Sequence, residues 1–144
     1  MTIEVIGELG INHNGNYLTA CALVDAAIIA GCTAVKTQLW QSERVYDGSK
    51  IAEMKKLELS RKQIKDLNAY CRGRGIELIV TPDEIDDARF LRDAGFRRIK
   101  TSSQDVTNKF FLRQIAQLGL PVIYSTGACS WTELMEGFYA MKYA

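Results

Sequence analysis

Glu77-Leu78-Ile79-Val80-Thr81-Pro82 is an apolar run of strand length that stops at a proline. A helical pattern from Ile85 to Ala94 follows and closes at Gly95, and Arg98-Ile99-Lys100-Thr101-Ser102 then repeats the apolar run. Strand, helix, strand in this order is a βαβ unit, whose crossover makes the strands parallel and right-handed. The alternation continues both ways. Upstream, a strand is predicted over Ile3 to Leu9, a helix from about Tyr17 to Ala30, and a strand over Ala34 to Trp40. A polar connection leads to Ser60, an N-cap candidate for a helix ending near Gly73 and Gly75. Downstream come a helix from about Asn108 to Leu118, a strand over Pro121 to Ser125, and a last helix after Ser130. The class is α/β: a parallel βα repeat of about five units, roughly 25 residues apart.

Several boundaries have a physical reason. Leu18, Ala22, Val24, Ala27 and Ile28 give the first helix a broad apolar face. Gly31, Gly95 and Gly119 each follow a helical pattern, where a left-handed residue is easiest for glycine. Pro121 opens a strand, where a missing N–H costs least.

The chain has 144 residues, 47% hydrophobic and 24% charged, with net charge +1. That is ordinary globular composition with enough mass for a core. The charge gives no field for nucleic acid, and no apolar stretch approaches the roughly 20 residues that span a bilayer. No signal segment opens the sequence, so the expected location is cytoplasmic. The four cysteines, Cys21, Cys32, Cys71 and Cys129, form no C-x-x-C pair, and His13 is the single histidine. A zinc site is not expected, and the thiols read as reduced.

Polar chemistry gathers where the strands end. Lys36, Thr81, Lys100 and Ser103 lie at or just past the carboxyl end of a run, the edge at which parallel α/β folds bind ligands. Two lysines with hydroxyls between them suit a phosphate or carboxylate. Plainer readings stand beside this one. An ammonium within the apolar Lys36 strand needs a function or a salt bridge. Glu8 reads equally as a solvated strand-end residue, and Lys100 as part of a basic run with Arg97 and Arg98. Asp105 with Asn108 reads as helix capping, Thr81 as a turn residue, and Ser103 and Ser125 as common strand-end hydroxyls. His13 among asparagines reads as the hydrogen-bonded centre of a turn.

A specific resemblance joins these segments. Glu8-Leu9-Gly10-Ile11-Asn12-His13-Asn14-Gly15 resembles the opening motif of the N-acetylneuraminate (sialic acid) synthase family. Ala34-Val35-Lys36-Thr37-Gln38, Thr81-Pro82, Lys100 through Asn108, and Ser125-Thr126-Gly127 resemble further family segments in the same order. The resemblance covers essentially the whole chain. It implies the N-terminal part of a (β/α)8 domain, a partial TIM barrel, in an enzyme that condenses phosphoenolpyruvate with an N-acetylhexosamine. Carried over residue by residue, it implies that Lys36, Thr81, Lys100, Ser103 and Ser125 hold phosphoenolpyruvate. Glu8 then lies near the reacting carbon, and Asp105 contacts the sugar and moves its protons.

The resemblance also implies a divalent metal, manganese or magnesium, held chiefly by histidines on later strands that this chain does not contain. Asp83 replaces a phenylalanine, Gln104 replaces a glycine, and the Trp40–Leu57 connection is shorter than usual. The family's C-terminal antifreeze-like domain is not expected in this chain. About five βα units leave open sheet edges, so a barrel-completing partner or a homo-oligomer is expected, and the chain alone is expected to be incomplete for catalysis. A non-catalytic phosphate- or carboxylate-binding module, or a degenerate barrel remnant, is the alternative.

Overall fold

The structure, a computed structural model, describes residues 3–144. Its strands are β1 (Ile6–Gly10), β2 (Ala34–Leu39), β3 (Glu77–Pro82), β4 (Ile99–Lys100) and β5 (Val122–Ile123). They form one sheet in chain order, and β1–β2 and β4–β5 pair in parallel. The helices are α1 (Tyr17–Ile29), α2 (Ser42–Val45), α3 (Ser49–Met54), α4 (Arg61–Gly73), α5 (Ile85–Asp93), α6 (Lys109–Ala116) and α7 (Trp131–Lys142). The alternating α/β order matches the sequence expectation. The chain divides into two compact units, residues 1–80 and 81–144.

In the first unit, β2 is enclosed along almost its whole length; Ala34, Val35, Lys36, Thr37 and Leu39 are all buried. Helices α1 and α4 pack together. The Tyr70 hydroxyl donates to Asp25 Oδ2 at 2.8 Å, and Arg74 pairs with Asp25 at 2.9 Å while stacking over Tyr70. Ser60 caps α4 in a reciprocal box with Gln63, satisfying donors that the first turn leaves free.

Three expectations for this unit need correction. The first strand begins at Ile6 rather than Ile3, and Ile3 and Val5 are exposed. The buried residues of α1 are Ala20, Cys21 and Val24, while Leu18 faces solvent. Residues 41–57 are not a plain polar connection: they hold α2, α3 and a 3₁₀ turn, Lys55–Leu57.

In the second unit, α6 packs on both α5 and α7. Phe111, Leu112 and Ile115 supply its buried face. Ser130 caps α7 in a box with Glu133. β4 and β5 are only two residues each, shorter than the predicted runs. Helix α7 passes very close to β5's end at Gly137. A Cβ there would stand 2.1 Å from the Tyr124 hydroxyl oxygen, which itself lies 3.4 Å from the carbonyls of Val106 and Leu134.

Candidate active site

In the first unit, parallel pairing sets Glu8 opposite Lys36. The Lys36 ammonium donates to Glu8 Oε1 at 3.2 Å. The lysine side chain is 6% exposed and the glutamate 57%. A buried ammonium is costly unless paired, and the half-solvated carboxylate supplies the charge while remaining hydrated. The salt bridge anticipated for Lys36 is therefore present, and Glu8 is not merely a solvated strand end.

The turn after β1 is tightly packed. His13 is fully buried, and its Nδ1 accepts the Gly15 N–H at 3.1 Å. Burial holds its pKa below the usual imidazole value, against a backbone contact with Gly10 that raises it. Gly15 has φ +69°, and a Cβ there would lie 2.0 Å from the Lys56 carbonyl oxygen. Only glycine fits that position. Beyond β2, a cleft of about 370 Å³ is lined by Trp40, Gln41, Glu43, Lys55, Glu58 and Arg61 among others, and an ion pair joins Glu43 and Lys55.

In the second unit, Lys100 Nζ donates to Ser125 Oγ at 2.6 Å, and the Ser125 hydroxyl donates to the Thr101 carbonyl at 2.6 Å. The Ser125 N–H donates to Thr101 Oγ1 at 3.2 Å. Lys100 is thus part of a built hydroxyl relay, which the solvated-run reading did not anticipate. Ser103 opens the 3₁₀ turn Ser103–Asp105, and Gly127 approaches it so closely that a Cβ would sit 2.9 Å from Ser103 Oγ. Thr81, at the end of β3, is 3% exposed, and its Oγ1 has no hydrogen-bond partner among the described residues. A buried unpaired hydroxyl carries a free-energy cost that a ligand contact would relieve.

Asp105 does not cap α6. Asn108 does, accepting from the Phe111 N–H. The Asp105 carboxyl is pushed above its usual range by burial, against a contact with the Ser102 backbone. Asp83 is pushed up to about 6, first by loss of hydration and then by the charges of Asp105, Asp87 and Glu84. A carboxyl in that range exchanges protons near neutral pH. Sequence reasoning missed Asp83 as a titrating group, and missed Thr37 and Thr101 as the hydroxyls that follow each lysine. The repeated Lys-Thr pair at 36–37 and 100–101 was the available signal.

Among the described residues no group of three or more His, Cys, Asp or Glu side chains is arranged to hold a metal ion. The donors present do not fit the divalent metal that the resemblance implies, and no step is assigned to one. Burial, then the neighbouring Cys21 and Asp25, pushes the Cys71 thiol up to about 12 and leaves it unreactive. None of the described helices is long and apolar enough to cross a membrane.

The model of the NeuB family matches residues 23–143. The chain belongs to the NeuB family. This NeuB-family chain is 33% identical over 158 aligned residues to the N,N'-diacetyllegionaminic acid synthase of Legionella pneumophila subsp. pneumophila, covering 99% of the chain and 44% of that protein. It is 28% identical to the spore coat polysaccharide biosynthesis protein SpsE of Bacillus subtilis, covering 97% of the chain and 41% of that protein. Among solved structures, it matches the N-acetylneuraminic acid (sialic acid) synthetase of Leptospira borgpetersenii serovar Hardjo-bovis, determined with citrate. The TM-score is 0.94 at 28% identity, covering 99% of this chain and 51% of that one. The NeuB-family chain therefore spans less than half the length of the curated relatives it matches.

Proposed function

We propose that this chain is the N-terminal part of a (β/α)8 domain that condenses phosphoenolpyruvate with an N-acetylhexosamine-type sugar to a nine-carbon 2-keto acid. The observation that carries this reading is the Lys100–Ser125–Thr101 relay, in a unit whose Thr81 hydroxyl is buried and has no partner among the described residues. An ammonium with rotatable hydroxyls suits a phosphate or carboxylate, supplying charge and oriented donors. Thr81, Lys100, Ser103 and Ser125 bind phosphoenolpyruvate through the second unit. In the first unit taken by itself, Lys36 is the cation for phosphoenolpyruvate and Glu8 the group for the reacting carbon. Asp105 holds or moves a proton on the sugar, and Asp83, titrating near 6, is a second proton carrier beside it. The relatives named as synthases of N,N'-diacetyllegionaminic acid and of sialic acid support the substrate class.

Calorimetric titration of the chain with phosphoenolpyruvate tests the reading. Lys100→Ala and Lys36→Ala are each expected to weaken binding by about tenfold or more, the loss of one charge-assisted contact. Binding equal to wild type in both variants overturns it.

A further inference from the structure

The turn after β1, with His13 buried at its centre, is connected to the ion pair. His13 Nδ1 accepts the Gly15 N–H, so in the neutral ring the proton sits on Nε2. Nε2 lies 3.5 Å from Thr37 Oγ1, and the Thr37 hydroxyl donates to the Gly10 carbonyl at 3.1 Å. The donors run one way, from imidazole to hydroxyl to carbonyl. Gly10 is where β1 slips its register: Glu8 pairs with Lys36, yet Gly10 pairs with Thr37. One extra residue, Leu9, is accommodated on β1, the signature of a bulge. Bulges re-aim neighbouring side chains. Here the Glu8 carboxylate lies over Gly10, with Oε1 3.4 Å from where a Cβ would be. Gly10, two residues after Glu8, is thus tied to Thr37, the residue after Lys36, and His13 closes the tie from the turn.

We propose that His13 and Thr37 are positioning residues that fix the β1 bulge at Gly10 and thereby hold the Glu8 carboxylate against Lys36. Their consequence for ligand binding rests on the proposed role of Lys36. Their effect on the ion pair does not.

The experiment compares the full chain with Thr37→Val, which removes the hydroxyl, and Thr37→Ser, which restores it. The first readout is the NMR signal of the Lys36 ζ-ammonium, with Glu8→Gln as the reference for a lost pair. Wild type and Thr37→Ser should share one signal, and Thr37→Val should take the Glu8→Gln position. A Thr37→Val signal like wild type overturns the proposal. So does a wild-type signal that already matches Glu8→Gln, or a Thr37→Ser variant that fails to restore it. If Thr37→Val does not fold by circular dichroism, His13→Gln and His13→Leu decide. Glutamine keeps an N–H near the Nε2 position and should retain the signal, leucine should lose it, and equal signals in the two overturn the proposal. The second readout is phosphoenolpyruvate titration, expected to weaken roughly tenfold in Thr37→Val and to recover in Thr37→Ser. Absence of binding by wild type removes the functional reading alone, because the ammonium comparison still decides the clasp.

Discussion

Lys36 leaves the middle of β2 and Lys100 the end of β4, and the protein mounts them differently. Lys36 meets a carboxylate, and the turn behind that carboxylate is wedged by Gly15 against the backbone of Lys56. Lys100 meets the hydroxyl of Ser125, and the adjoining glycine, Gly127, touches only a side-chain oxygen. Backbone against backbone cannot yield, whereas a hydroxyl rotates and exchanges donor for acceptor. The first unit thus holds its cation in a fixed setting, and the second holds its cation among groups able to re-aim.

The largest expected effect breaks or confirms that contrast directly. Gly15→Ala places a Cβ on the Lys56 carbonyl at a left-handed φ and should destabilise the chain by about 3 kcal/mol, lowering Tm by roughly 10 °C. Gly127→Ala should cost no more than about 1 kcal/mol, because Ser103 Oγ can swing aside. Equal losses in thermal melts would erase the distinction. Next in size, Ser125→Ala removes the acceptor for Lys100 and a buried donor to Thr101, at about 1–2 kcal/mol in urea denaturation. Lys36→Met should cost less than about 1 kcal/mol, since the Glu8 carboxylate left behind is more than half solvated. The opposite order would make the first unit's pair the stronger mount.

The smallest effect sharpens the contrast through pH, and it is small because water still reaches the exposed Asp83 side chain and screens it. The fold raises the Asp83 carboxyl from 3.8 to about 6, so it favours the protonated form. Stability is full below the ordinary value and declines as pH rises from about 4 to about 6. Asp83→Asn should therefore melt above wild type at pH 7 and coincide with it at pH 4. An unchanged Tm at pH 7 would mean that the second unit carries no such charge crowding.

The sequence made the elements with strong local signals legible. Ser60 and Ser130 announce their helices because each has its capping partner three residues on. Gly31, Gly95 and Gly119 close helices with positive φ, as their positions suggested. Pattern fails where tertiary pairing decides. Ile3 and Val5 have strand propensity, but β1 starts at Ile6, where its pairing with Ala34 begins. Helices α2 and α3 are too short to show a helical period in their 41–57 segment. Both lysines were visible as candidates, although Lys36 lies mid-strand in β2 rather than at its carboxyl end, while their partners were not, because Glu8 and Lys36 are 28 residues apart and Lys100 and Ser125 are 25 apart. Helix α1 is apolar on nearly every side, so its composition could not say that Leu18 faces water and Ala20 the core.

The contact between Gly137 and Tyr124 has a consequence for how this chain can evolve. No side chain larger than hydrogen fits beneath α7 while the phenolic oxygen is there. Replacing Tyr124 by phenylalanine removes one obstacle and leaves another, since a Cβ would still stand 2.6 Å from the Val106 carbonyl oxygen. Gly137 is therefore expected to resist substitution even after Tyr124 has become phenylalanine, because the second obstacle is backbone.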